Sequence, residues 1–202
     1  MAYKRKDYYY KKAKEEGKAS RASYKIAQLQ EKYQFLKKGN AVVDLGCAPG
    51  GWLQELVHIL GPQGKVVGID ILPLKISTHA NVTFLLQSIE DENIADTLFA
   101  ILGRKADAVV SDMAPNTSGV AFADAYRSYE LCLLGFETCE KLLRVGGTFI
   151  CKIFPGAELP DFRKMLQENF AKVSSVTPPA TRKTSSEIYL VCLGYRSSCL
   201  PA

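Results

Sequence analysis

Apolar residues recur in two rhythms along this chain. Across 20–38 they fall at Ala22, Ile26, Leu29, Tyr33 and Leu36, the three-and-four spacing of one helical face, and Gly39-Asn40 supplies a stop. Ala41-Val42-Val43-Asp44-Leu45 then forms a nearly unbroken apolar run with β-branched residues, the composition of a strand covered on both faces. Similar runs recur at 65–69, 82–86, 106–111, 148–153, 172–176 and 188–193, giving seven strands. Helical spacing lies between the earlier runs, near 51–60, 90–102 and 123–143, and again near 159–169 before the sixth strand. Such alternation predicts right-handed βαβ crossovers and a mostly parallel sheet with helices on both faces. The last two strands are separated only by 177–187, rich in Pro, Thr and Ser, which leaves no room for a helix. They are expected to pair antiparallel at one sheet edge.

Length and charge narrow this picture. A chain of 202 residues suits one core, so the expected organisation is a single domain over 20–202 preceded by a basic, flexible extension over 1–19. No apolar stretch is long enough to span a bilayer, and the charged N-terminus is not followed by the apolar segment of a secretory signal. Asp7, Glu15 and Glu16 interrupt the pattern of a mitochondrial presequence, so a cytoplasmic location is expected. Residues 1–40 hold twelve Lys or Arg against four Asp or Glu, although the whole chain is only +5. Clustered cations interleaved with Tyr3, Tyr8, Tyr9, Tyr10 and Tyr24 suit a phosphate backbone; a merely solvated tail is the plainer alternative. Cys47, Cys132, Cys139, Cys151, Cys192 and Cys199 form no CxxC pair, and His58 and His79 are the only histidines, so no metal site is expected. The cysteines are read as reduced thiols, with Cys151 and Cys192 inside buried strands.

The sharpest local signal is Asp44-Leu45-Gly46-Cys47-Ala48-Pro49-Gly50-Gly51-Trp52, directly after the first strand and before a helix. Ligands of open α/β sheets bind at the carboxyl ends of strands. Gly46 permits a tight turn, while Gly50 and Gly51 are expected to let a ligand approach the backbone at the helix N-terminus. Asp70 ends the second strand, twenty residues after Gly50, where a carboxylate can accept hydrogen bonds from both hydroxyls of a cofactor ribose. Gly46, Ala48, Pro49, Gly50, Gly51 and Trp52, with Asp70 and the adjoining Ile71, thus make the candidate site for an adenosine cofactor. The loop lacks both the G-x-G-x-x-G of a dinucleotide site and the Gly-Lys-Ser/Thr of a phosphate loop.

Charged residues also sit where strands would not place them. Asp112 closes the fourth run, Lys152 interrupts the fifth and Glu187 opens the last, all toward one rim. Each is costly to bury without a partner. A structural ion pair, or snorkelling to solvent, is the plain account of any one of them.

Taken with Lys25 on the leading helix they make a Lys, Asp, Lys, Glu set, and the chain resembles the FtsJ-type ribose 2'-O-methyltransferases. The resemblance is carried by Ser20-Arg21-Ala22-Ser23-Tyr24-Lys25, by 44–54, by Val109-Val110-Ser111-Asp112-Met113-Ala114-Pro115-Asn116, by Gly146-Gly147 with Lys152, and by Ser185-Ser186-Glu187-Ile188-Tyr189. It implies a Rossmann-like methyltransferase fold, S-adenosyl-L-methionine as methyl donor, and a uridine of large-subunit ribosomal RNA, within the assembled subunit, as acceptor. It implies catalytic roles for Lys152, Asp112, Lys25 and Glu187: Lys152 orients the 2'-hydroxyl or takes its proton, Lys25 adds a second positive charge, and Asp112 also meets the cofactor. A monomer without an obligate protein partner is expected. Members carry an Asp in a stretch like Gln-Gly-Asp-Ile after the third strand to contact adenine; here the stretch reads Leu86-Gln87-Ser88-Ile89-Glu90-Asp91, leaving Gln87, Ser88 or Asp91 for that contact. A relative acting on tRNA or an mRNA cap, and a non-catalytic RNA-binding assembly factor on the same scaffold, are the competing readings.

Overall fold

The structure, a computed structural model, describes residues 8–196. In chain order the elements are α1 (Tyr8–Glu15), α2 (Ala22–Tyr33), β1 (Ala41–Leu45), α3 (Gly51–Leu60), β2 (Lys65–Asp70), β3 (Val82–Leu86), α4 (Ile94–Leu102), β4 (Ala106–Ser111), α5 (Ala121–Leu142), β5 (Leu143–Ile153), α6 (Leu159–Asn169), β6 (Phe170–Val176) and β7 (Ile188–Tyr195). Seven strands form one sheet in the order β3-β2-β1-β4-β5-β7-β6. β7 runs antiparallel to both neighbours and the other adjacent pairs are parallel. The fold is therefore the expected seven-stranded α/β sheet, with β7 lying inside it and β6 at the edge.

The apolar runs explain the layering. β1 and β4 are buried at every residue because helices cover both faces of the sheet centre. Val43, Leu45 and Val109 point toward Leu98, Phe136 and Phe162 of α4, α5 and α6, in one core. Val42, Ala108 and Val110 point the other way, toward Ile26 and Leu29 of α2 and Leu53 and Leu56 of α3, in a second. Side-chain direction alternates along a strand, so parity decides which layer each residue joins.

Three elements differ from expectation. α2 stops at Tyr33, ahead of Gly39-Asn40, because Gln34 adopts a left-handed conformation and the Gln30 side chain bonds both the N–H and the carbonyl of Leu36. β5 begins at Leu143, since α5 passes straight into it across an irregular register opposite Ala106 and Ala108. Within the basic extension, Tyr8–Glu15 is helical although it lacks an apolar stripe: Ala13 and Tyr9 pack on Tyr24, and the Tyr24 hydroxyl donates to Glu16 at 2.6 Å. Tyr3, Lys4, Arg5, Lys6, Asp7 and Cys199 lie outside the described residues. Among the described residues no helix is long and apolar enough to cross a membrane.

Candidate active site

Strand parity gathers the charged residues on one face. Ile150 belongs to the α2/α3 side of the sheet and Cys151 to the other, so Lys152 returns to the α2/α3 side. The same alternation after Val110 and Ser111 directs Asp112 there, and Lys152 sits opposite Tyr189 in the β5–β7 register. α2 lies over this face and contributes Lys25. Four distant segments thus meet at the carboxyl rim of the central strands.

Their side chains form one network. Lys25 donates to Glu187 Oε1 at 2.5 Å and to the Tyr189 hydroxyl at 3.1 Å. The Tyr189 hydroxyl donates in turn to Asp112 Oδ1 at 2.5 Å. The Lys152 ammonium reaches the same Oδ1 at 3.0 Å and donates to the Asp112 main-chain carbonyl at 2.5 Å. Both ammonium groups are nearly enclosed, each lysine being 7% exposed. Two cations face two carboxylates, so the enclosed cluster is formally neutral. Burial pushes the Asp112 carboxyl up, but the Lys152 and Lys25 charges and the Tyr189 hydroxyl outweigh it and hold it below the usual carboxylate value. Burial, together with Asp112 and Glu187, pushes Tyr189 well above an ordinary phenol, so it stays a neutral donor. The Cys132 thiol anchors the Lys152 carbonyl at 2.9 Å.

Beside the network lies a cavity of about 410 Å³, within the usual range of small-molecule sites. Gly46, Ala48, Asp70, Ile71, Gln87, Ser88 and Asp112 line it. Asp70 closes one side: its Oδ2 accepts from the Ala48 N–H and its Oδ1 from the Leu72 N–H, each at 2.8 Å. Gly46 is required here, with φ +76° and Met113 placed where a β-carbon would go. Asp44, fully buried on β1, has no hydrogen-bond partner for either carboxylate oxygen among the described residues. Burial above all, then the charges of Asp112 and Asp70, raises its carboxyl well above the usual value.

The rest of the glycine turn is closely packed. Gly50, at φ +113°, faces Ile76, and a β-carbon on Gly51 would strike Ser20 Oγ. Both glycines let neighbouring side chains pack against the turn on the side where a β-carbon would stand. Trp52 is buried, donating its indole N–H to the Ala22 carbonyl at 2.9 Å and stacking on Tyr189 at 5.9 Å, so it backs the charged network. Pro49, Gly50, Gly51 and Trp52 are absent from the cavity wall, as is Asp91; Gln87 and Ser88 are on it, with Ile89 and Glu90. Tyr189 went unassigned from sequence. Its alternation with Lys152 across the strand pair was the available signal. Met113, Pro115 and Asn116, on the loop after β4, also line the cavity.

The sheet order, the inserted antiparallel strand, and a glycine turn facing an acidic strand end define the class, an α/β methyltransferase. The chain belongs to the FtsJ-like methyltransferase family, whose model matches residues 19–195. It is 41% identical over 191 residues to a protein of Methanothrix thermoacetophila named ribosomal RNA large subunit methyltransferase E, covering 95% of this chain and 73% of that one. A protein of the same name from Desulforapulum autotrophicum is 40% identical over 188 residues, covering 93% and 92%. Among solved structures, a ribosomal RNA methyltransferase from Plasmodium falciparum superposes with a TM-score of 0.76 at 31% identity, covering 88% of this chain and 98% of that one.

Proposed function

We propose that this methyltransferase uses S-adenosylmethionine to methylate a ribose 2'-hydroxyl of a uridine in large-subunit ribosomal RNA. The observation carrying this reading is the pair of enclosed ammonium groups, Lys25 and Lys152, gathered on Asp112 at the rim of the cavity. The cavity fits the donor: Asp70 and Asp112 offer carboxylates on its wall, and the unpartnered Asp44 carboxyl lies within electrostatic range of both. Acceptors of that kind suit ribose hydroxyls, an ammonium and a sulfonium. Gly46, Ala48, Asp70, Ile71, Gln87, Ser88 and Asp112, with Pro49, Gly50, Gly51 and Trp52 of the adjoining turn, would hold S-adenosylmethionine, which supplies an electrophilic methyl group.

The chain's own residues then act on the acceptor. A 2'-hydroxyl is a weak nucleophile, and its oxygen gains negative charge as its proton passes to solvent water at the rim. Lys152 directs two contacts at Asp112 and keeps a third ammonium proton to hold the attacking oxygen. Lys25 adds a second charge from the α2 side. Preorganised cations in a poorly solvated cleft stabilise developing alkoxide more than water does. Glu187 and the Tyr189 hydroxyl fix the direction of Lys25. Large-subunit RNA is favoured over tRNA or a cap because the relatives are named as methyltransferases of large-subunit ribosomal RNA. The assembled subunit is the proposed substrate, and the protein acts as a monomer without an obligate protein partner.

Purified protein is expected to move labelled methyl from S-adenosylmethionine onto isolated large ribosomal subunits, with the label on a ribose oxygen. Label on a base would overturn the assignment. Comparing subunits with deproteinised RNA identifies the substrate state.

The basic segment has a matching test. Lys11 and Lys14 are exposed on α1, which packs beside α2. The joint substitution Lys11→Glu and Lys14→Glu should weaken RNA binding and flatten the plot of log affinity against log salt by about 0.7 per lost phosphate contact. An unchanged slope would show that α1 does not meet phosphate.

A further inference from the structure

A second groove, of about 760 Å³, opens on the α5/α6 side of the catalytic rim. One wall is the start of α5, with Phe122, Tyr126, Arg127 and Glu130; the other is the segment after β5, Pro155 to Glu158. Phe122 is 80% exposed and Tyr126 48%, unusual for rings of this size, and neither belongs to the cofactor cavity.

Both walls are rigid continuations of catalytic segments. Pro155 follows Lys152 by three residues, and the N–H of Phe154 donates to Ser128 on α5 at 3.0 Å. Gly156 approaches Ala125 so closely that a β-carbon would sit 2.8 Å from it. The loop leading from Asp112 to α5 is clamped by Asp124, whose carboxylate accepts from the Ser118 N–H, the Ser118 hydroxyl and the Gly119 N–H. Arg127 donates to the carbonyl of Asn116 at 3.5 Å, and Asn116 also lines the cofactor cavity. A third pocket, lined by Pro115, Arg127, Glu130 and Leu131 among others, shares walls with both and links the cavity to the groove.

We infer that this groove receives an unpaired nucleobase adjacent to the target nucleotide, stacked on Phe122 and Tyr126. The inference rests on the RNA-methylating reading above and adds to it a subsite for the flanking nucleotide. Exposed rings with a neighbouring guanidinium are the platform on which single-stranded bases stack, whatever the base. Glu130 and Glu158 are also on the walls, which disfavours phosphate inside the groove and suits base edges bearing amino groups. The sugar–phosphate chain thus passes along the mouth, with the ribose at Lys152 and the neighbouring base turned into the groove. A protein segment on these rings is the competing occupant.

The test is steady-state methyl transfer to isolated large subunits, and to deproteinised RNA from them, by wild type and by the double variant Phe122→Ala and Tyr126→Ala. Stacking losses predict that KM for RNA rises roughly tenfold or more, with kcat and KM for S-adenosylmethionine within about twofold of wild type. Phe122→Trp should restore much of the loss, as a packing defect would not. A thermal melt matching wild type verifies the fold. An RNA oligonucleotide with 2-aminopurine beside the target should be quenched on binding wild type and not the variant. Unchanged KM on both substrates, with wild type transferring normally, overturns the groove alone. A defect on assembled subunits with 2-aminopurine quenched equally by wild type and variant assigns the rings to a protein contact and also overturns it. Absence of ribose transfer by wild type overturns the underlying reading instead.

Discussion

Lys152→Ala is expected to reduce transfer by about two to four orders of magnitude in kcat, the range typical of a group that assists proton movement at the reacting atom. Binding of S-adenosylmethionine should stay close to wild type, because the Lys152 ammonium contacts Asp112 and is not on the cavity wall. Single-turnover transfer and calorimetric titration separate the two effects. Normal turnover would remove Lys152 from the mechanism. Lys152→Arg should rescue little, since a planar guanidinium cannot reproduce two contacts to one residue and present a third proton toward the rim.

Asp112→Ala should damage stability as well as chemistry. Its Oδ1 is shared by Lys152, the Tyr189 hydroxyl and, at 4.0 Å, Lys25. Removing it leaves two nearly enclosed cations with only Glu187, and breaking such a buried group costs about 3–5 kcal/mol. For a chain of this size that lowers Tm by roughly 10 °C. The pH dependence follows from the carboxyl being held below its usual value in the fold. Its stabilisation is present above the unfolded-state value and is lost as pH falls through the lower folded-state value. Wild type should therefore lose stability toward acid more steeply than Asp112→Ala, the two curves converging at the lowest pH. Denaturation over a pH series measures this, and parallel curves would refute it.

How much of this was legible in the sequence depended on whether a residue's role lies in its own segment. The continuous runs of β1 and β4 announced a doubly covered sheet, because no exposed strand tolerates such runs. Lys152, Asp112 and Glu187 stood out as charges on apolar strands, and the structure brings them to Lys25. Tyr189 carried no such anomaly: an aromatic in a strand is ordinary core, and only its position across from Lys152 distinguishes it. That Ile76 and Ser20 crowd Gly50 and Gly51 was not legible, because the sequence does not say which distant side chain packs on a glycine. The helix α1 escaped notice because one alanine and one tyrosine pack it, too few to mark a periodicity.

The placement of β7 sets when the enzyme comes into being. Growing from its N-terminus, the polypeptide makes β5 and β6 first, yet these strands cannot lie side by side, since β7 belongs between them. The carboxylate nearest Lys25, that of Glu187, lies 162 positions downstream. Contacts so remote in sequence form late and slowly. The final strand therefore closes the sheet and delivers Glu187 and Tyr189 to Lys25 in one step.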